Sequence, residues 1–270
     1  MDQPPIIQKG PGQDGAQWAR ALADPAWRDR AEVLKKDGDV QVLLVEMLGK
    51  MVVIKQWNVS RFKRRVQSMF NATPAWRHWR GALLLKKKGI RTAEPIALFR
   101  YIHEGTWIEV LVMEALNGRS VLEHLATGEL SVRQEHLLAR AIASQLNTLT
   151  NAGIRNRDHK PSNLIVTHID DNEASVAIID CVGIKRDSSF MSDEPLDMMI
   201  SLMLEPAGCN CPPRRTLMMR VLRSYDGAVD DIDWRDVRRD AWEHVSCLVQ
   251  NHGDPTPKIN PLAQEAGERL

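Results

Sequence analysis

Hydrophobic positions change their period along the chain. Between Val33 and Lys55 apolar and β-branched residues gather in short runs, Val40–Met47 and Met51–Ile54. Asp37-Gly38-Asp39 and Leu48-Gly49-Lys50 break those runs. Runs of that length, ended by Gly and Asp, predict three strands joined by tight turns. Glu94-Pro95 opens another β segment, and Trp107–Met113 (WIEVLVM) alternates as a strand does. Between these segments Pro74–Lys88 carries the marks of a helix. Thr73 takes the N-cap and Pro74 the first helical position, where its missing N–H costs nothing. Trp76, Trp79 and Leu83 recur at helical spacing. Lys86–Lys88 suit the negative end of the helix dipole, and Gly89 stops the helix.

In the second half the 3.6-residue period returns from about Arg133 to Asn151. Leu138, Ile142, Leu146 and Leu149 form its stripe, and Gly153 lies just beyond it. Asn163–Thr167 and Ser175–Ile179 read as short strands around the turn Asp170-Asp171-Asn172. The rest, through Cys247, reads as helices with loops, and Trp234, Trp242 and Val245 as core. Residues 1–17 read as a flexible tail, and 251–270, punctuated by proline, as a second tail. The expected class is α+β. Residues 18–116 make a strand-rich lobe with one main helix, and residues 117–250 a small, mostly helical lobe.

With 270 residues, 43% of them hydrophobic, the chain can bury a substantial core without disulfides or a structural metal. Cys181, Cys209, Cys211 and Cys247 make no convincing disulfide framework in a chain this long. Cys209-Asn-Cys211 has no second Cys or His pair at ligand spacing, which argues against zinc. Residues 1–15 lack the apolar stretch of a signal peptide, and no aliphatic run is long enough to span a bilayer. The expectation is a cytoplasmic protein of a reducing compartment.

Charge alters this plain picture. From Met47 to Ala93 there are twelve Lys and Arg and no acid, so a net charge of +1 over the chain leaves the flanks at −11. Three readings stay open for the basic 50–91 region. It is a solvated face, a surface for a polyanionic acceptor, or a peripheral contact with an anionic membrane at the inner face of the cytoplasmic membrane. No recognised nucleic-acid module is present, so nucleic acid is not expected.

The candidate chemistry sits in Gly153–Val166 and Ile178-Ile179-Asp180. Phosphoryl transfer needs a carboxylate to take the attacking hydroxyl's proton, oxygen ligands for Mg²⁺ and cations for the transferring phosphate. Asp158 suits the first role and Lys160 the last. Asn163 and Asp180 suit the metal. A hairpin between them would return both to one end of the site.

Arg157-Asp158-x-Lys160-Pro161-x-Asn163 resembles the catalytic loop of the protein-kinase-like superfamily, and Ile178-Ile179-Asp180 its metal-binding strand end. Val52-Val53-Ile54-Lys55 is similar to the strand bearing the ATP-anchoring lysine. Val112-Met113-Glu114-Ala115-Leu116 resembles the hinge. The four elements occur in the superfamily's order over roughly Val33–Asp180. The resemblance implies a bilobal protein-kinase-like fold with an antiparallel N-terminal lobe. It implies Met113 as gatekeeper, and the Glu114 carbonyl and Leu116 amide on the adenine edge. Lys55 would hold the α- and β-phosphates, and Gly38 would lie in the loop over the phosphates.

The short C-terminal lobe, together with Trp76-Arg77-His78-Trp79 leading to Gly89-Ile90-Arg91-Thr92-Ala93-Glu94-Pro95, is similar to the lipopolysaccharide core kinase (Kdo/WaaP) family. That resemblance implies ATP and Mg²⁺ as reactants and a sugar or glycolipid acceptor. The chain departs from the pattern in several places. The phosphate loop Lys36-Asp37-Gly38-Asp39 has one glycine and two acids. Asn156 replaces the usual His, and Asp180-Cys181-Val182-Gly183 displaces the usual glycine by one position. His78 stands where the family tends to carry the helix glutamate that pairs with Lys55. Either another acid, such as Glu46 or Glu109, orients Lys55, or turnover is impaired and the chain is a nucleotide-binding pseudokinase or scaffold. His159 reads as a hydrogen-bonded structural histidine, and Asp197 as an anchor for the catalytic loop's backbone.

Overall fold

The computed structural model describes residues 6–9, 14–60, 62–186, 194–208 and 215–224, with 239, 243 and 247. Two compact units result, Met1–Lys87 with Thr92–Leu116, and Lys88–Arg91 with Asn117–Leu270. The class is α+β and kinase-like, as expected. Trp234, Trp242, Val245, Cys209, Cys211 and the 251–270 tail lie outside the described residues.

The first unit is built on a six-stranded antiparallel sheet. In chain order its elements are β1 (Ile6–Lys9), α1 (Asp14–Ala23), β2 (Glu32–Asp37), β3 (Val40–Met47), β4 (Lys50–Asn58), α2 (Phe62–Met69), α3 (Pro74–Lys87), β5 (Pro95–His103) and β6 (Thr106–Glu114). The sheet order is β1-β5-β6-β4-β3-β2. Its central strands are buried on both faces. Val110 and Val112 join Val52, Ile54 and Phe99 in one cluster, while Leu111 and Met113 join Trp57 and Leu98 in the other. The alternation read in WIEVLVM is thus a switch between two cores rather than between core and water.

A helix covers each face. On one side α1 and the 3-10 turn Pro25–Arg30 deliver Trp18, Leu22 and Trp27. This corrects the reading of residues 1–17 as a tail. Ile6–Lys9 pairs with β5, and α1 already begins at Asp14. On the other side α3 buries Ala75, His78, Ala82 and Leu85 along a 3-4-3 seam beside Trp76 and Trp79. Leu83, placed on the stripe by the sequence, is 43% exposed. The seam uses small alanines and a histidine, which a hydropathy reading passes over.

The second unit contains β7 (Arg119–Ser120), α4 (Val121–Thr127), α5 (Val132–Asn151), β8 (Ile154–Asn156), β9 (Leu164–Ile169), β10 (Ala174–Ile178), β11 (Ile184–Arg186), α6 (Glu194–Gly208) and α7 (Arg215–Ser224). Capping boxes start both α4 (Ser120 with Glu123) and α5 (Ser131 with Gln134). Each box satisfies orphan backbone donors at the helix start. The α5 stripe Leu138, Ile142, Leu146 and Leu149 is buried. Small sheets β10-β9-β7 and β11-β8 hold the loop between β8 and β9. Lys88–Arg91 belongs with this unit, and the Ile178 amide donates to the Arg91 carbonyl at 3.1 Å.

Candidate functional site

In the second unit the loop from β8 to β9 is held by its own polar groups and by groups from α6 and the segment after β10. Asn156 is fully buried, and its Oδ1 accepts from the Asp158 amide at 3.2 Å. That bond sets the orientation of the side-chain amide, so its Nδ2 donates to His159 Nδ1, 3.2 Å away. The proton of a neutral His159 therefore sits on Nε2. His159 is fully enclosed, and burial pushes its pKa down to about 4, so it is neutral at ordinary pH. The histidine is structural, as the sequence suggested, and Asn156 does the bracing.

The Asp158 carbonyl accepts from the Lys160 amide at 3.0 Å and from Asn163 Nδ2, also at 3.0 Å. Proline at 161 opens the short 3-10 turn Pro161–Asn163, and the Asn163 amide donates to the Lys160 carbonyl at 2.9 Å. The Asn163 carbonyl in turn accepts from the Ile179 amide at 3.0 Å, next to Asp180. Asp158, Lys160, Asn163 and Asp180 are thus joined in one hydrogen-bonded frame. Asp180 Oδ1 accepts from the Val182 amide at 3.1 Å.

Gly183 explains its own place in the displaced motif. A Cβ there would lie 3.1 Å from the Asp158 nitrogen and 3.2 Å from its Oδ2. The Gly183 carbonyl also accepts from the Arg157 amide at 3.3 Å. A side chain at 183 would push the Asp158 backbone and carboxylate back by a few tenths of an ångström, which glycine avoids.

The sequence reading missed the anchor of this loop. Glu205 on α6 accepts from the Ser162 amide (2.8 Å) and Ser162 Oγ (2.6 Å), and its Oε1 lies 3.5 Å from Lys160 Nζ. Its signal was a lone acid inside the apolar helix run Ile200–Pro206. Asp197, assigned that anchoring task, instead takes the Arg155 guanidinium at 2.8 Å, on an exposed side chain.

In the first unit Gly38 occupies the β2–β3 turn at φ 52°, the left-handed region where glycine is unstrained. Lys55 lies on β4 opposite Val42 and Leu111. Its ammonium is 5.4 Å from the centroid of the Trp57 ring, within cation–π range. The buried His78 meets the same indole edge-on at 6.4 Å and 69°. Of the two acids suggested for Lys55, Glu109 stands opposite Trp57, one diagonal from Lys55 on the same face of the sheet, and Glu46 lies farther along β3. Glu109 is buried against Arg100, at 2.5 Å from Nη2. Glu46 is exposed and four residues along β3 from Val42, about 13 Å at strand rise. Met113 is buried opposite Val53, the Glu114 amide donates to the Glu94 carbonyl, and Leu116 packs against the α3-side cluster.

The model of the Lipopolysaccharide kinase (Kdo/WaaP) family matches residues 27–186. The chain belongs to this family. The match takes in the sheet from β2 onward, α3 and the whole frame around Asp158, and ends at the last residue of β11. No curated protein matches the chain significantly. Membership makes the protein a kinase-family phosphotransferase related to lipopolysaccharide synthesis. Among the described residues no helix is long and apolar enough to cross a membrane.

The donor set suits Mg²⁺. Asn163 spends its amide nitrogen on the Asp158 carbonyl, which leaves the oxygen as its ligand atom, and Asp180 brings a carboxylate. Both are hard oxygen donors of the kind Mg²⁺ takes alongside substrate phosphates and water. Among the described residues no group of three or more His, Cys, Asp or Glu could form a metal cage.

Proposed function

We propose that the protein transfers the γ-phosphate of ATP to a hydroxyl of a sugar in lipopolysaccharide inner core or a related glycolipid. The observation that supports this reading is the Asp158 frame, in which hydrogen bonds join Asp158, Lys160 and Asn163 to one another and to Ile179 beside Asp180. Asp158 orients the acceptor hydroxyl and takes its proton as the oxygen attacks the γ-phosphorus and ADP leaves. Lys160, steadied by Glu205, meets the charge on the phosphoryl oxygens. Asn163 and Asp180 hold Mg²⁺, which supplies charge neutralisation on the phosphates. Lys55 steadies the α- and β-phosphates and Gly38 lies over them, while Met113, the Glu114 carbonyl and the Leu116 amide receive the adenine. Positioning and preorganised charge supply most of the rate in such a site.

The test is mass-spectrometric detection of a phosphorylated core sugar made by the full chain with Mg-ATP. Asp158→Ala should lower the rate by roughly 10²–10⁴-fold, the usual contribution of a general base. Product formation equal to that variant's background would end the proposal. One observation favours a second reading, a nucleotide-binding pseudokinase. The helix glutamate is absent, and His78 is buried in its place. Stabilisation of the fold by Mg-ATP without any transfer would select that reading.

A further inference from the structure

The corner where α2 turns into α3 exposes apolar residues that the kinase chemistry does not use. Val66, Met69 and Phe70 are 39%, 79% and 75% exposed. Phe70 is among the few large hydrophobic side chains in the described residues left so open to water. Its exposure is built in rather than accidental. The Ala72 amide donates back to the Gln67 carbonyl at 2.8 Å and the Phe70 amide to the same oxygen at 3.3 Å. Asn71 sits at φ 52°. These are the marks of a Schellman stop, which fixes the direction of the last helical residues. Arg80 on α3 locks the corner further, giving Nη2 to the Asn71 carbonyl at 2.7 Å. Arg64, two residues before Val66, faces inward, 3.7 Å from Asp39. The apolar residues lie on the side of the helix away from that contact, since positions 66 and 69 are both more than a quarter-turn from position 64.

The corner lies within a cation-rich, acid-free stretch of the chain. Lys63, Arg64 and Arg65 lie in α2, Arg80 is an exposed guanidinium bonded to the residue after Phe70, and the whole stretch from Met47 to Ala93 holds no acid. Exposed Phe, Met and Val among Lys and Arg suit the boundary between headgroups and acyl chains, where apolar groups enter and cations meet lipid phosphate. A protein partner complementary to this corner would need a matching apolar socket, whereas an anionic bilayer supplies both chemistries.

We infer that the α2–α3 corner, through Met69 and Phe70, docks the protein on an anionic lipid surface. This rests on the reading of the acceptor as a membrane glycolipid, since docking then brings the enzyme to its substrate. The test is co-sedimentation of the full chain with phosphatidylcholine vesicles, with and without about one-third phosphatidylglycerol. Wild type should bind the anionic vesicles and ignore the neutral ones. The M69S/F70S variant removes apolar area without changing charge and should bind about tenfold more weakly. Its transfer to a delipidated core sugar should be unchanged, which shows an intact fold.

Two results overturn the inference. One is wild-type protein that ignores anionic vesicles. The other is equal binding by M69S/F70S. A concentration-dependent dimer in sedimentation velocity, abolished by M69S/F70S and accompanied by no vesicle binding, would assign the corner to a second copy instead. The kinase reading fails separately. Asp158→Ala should keep vesicle binding while losing transfer, and binding without any transfer by wild type would leave the docking surface standing alone.

Discussion

At the scale of single residues the catalytic loop depends on a histidine that must stay uncharged. Asn156 donates to His159 Nδ1, so a proton there breaks the bond and charges a fully buried ring. Its folded pKa of about 4 lies below the unfolded value of 6.5. Between those values the unfolded chain holds the proton and the native chain does not, so stability falls as pH falls through that window. From pH 7 to pH 5 the expected loss is about 2 kcal/mol, read from denaturant melts at the two pH values. His159→Asn should flatten this slope, and an unchanged slope in the variant would show that another group is responsible. The sequence pattern singled out Asp158, Lys160, Asn163 and Asp180, and the fold ties the segments that carry them by hydrogen bonds, while their roles belong to the proposal. Glu205 was not legible. It lies 43 residues beyond Ser162, and only the fold shows that an acid in an apolar helix ends at this loop.

At the scale of elements, legibility followed how local the cause was. The β3–β4 hairpin and the α5 stripe were readable because a turn or a period specifies them within a few residues. The second face of the sheet was not, because burial of Trp18 and Trp27 depends on strands far along the chain. The β5–β6 pair shows the same limit. Glu109 read as a candidate partner for Lys55, and the registers set it diagonal to Lys55 across β4 and directly opposite Arg100 on β5, a pairing the sequence did not reveal. Glu109 is 1% exposed, and the Arg100 guanidinium beside it offsets the cost of burying its charge. Arg100→Met should therefore destabilise the protein by about 3–5 kcal/mol, as is usual when one partner of a buried pair is removed. Arg100→Met with Glu109→Met should recover most of that loss, because two apolar side chains leave no buried charge behind. Chemical denaturation of both variants decides it. A double variant no more stable than the single one would mean that Glu109 serves something other than Arg100.

At the scale of the whole molecule the remaining question is what the acid-free stretch is for. The fold neutralises part of it internally. Arg64 lies beside Asp39, and Lys86 pairs with Glu94, both acids coming from just outside the stretch. Two pairs, one of them exposed, do not account for twelve bases. Lys50, Lys87 and Lys88 are exposed as well. A purely solvated face and a surface for a polyanionic acceptor differ in their response to salt. Raising ionic strength from about 0.1 M to about 1 M shortens the screening length from about 10 Å to about 3 Å. If the basic face gathers a phosphate-bearing acceptor, the KM for that acceptor should rise by roughly tenfold or more over this range, at saturating Mg-ATP. The KM for an uncharged sugar acceptor should move by no more than about twofold, because no long-range attraction is being screened. Steady-state kinetics with the two acceptors separates the readings. Equal salt dependence for both would leave the twelve bases as a solvated face. A steep rise for the charged acceptor alone makes the basic stretch part of how the kinase finds its substrate.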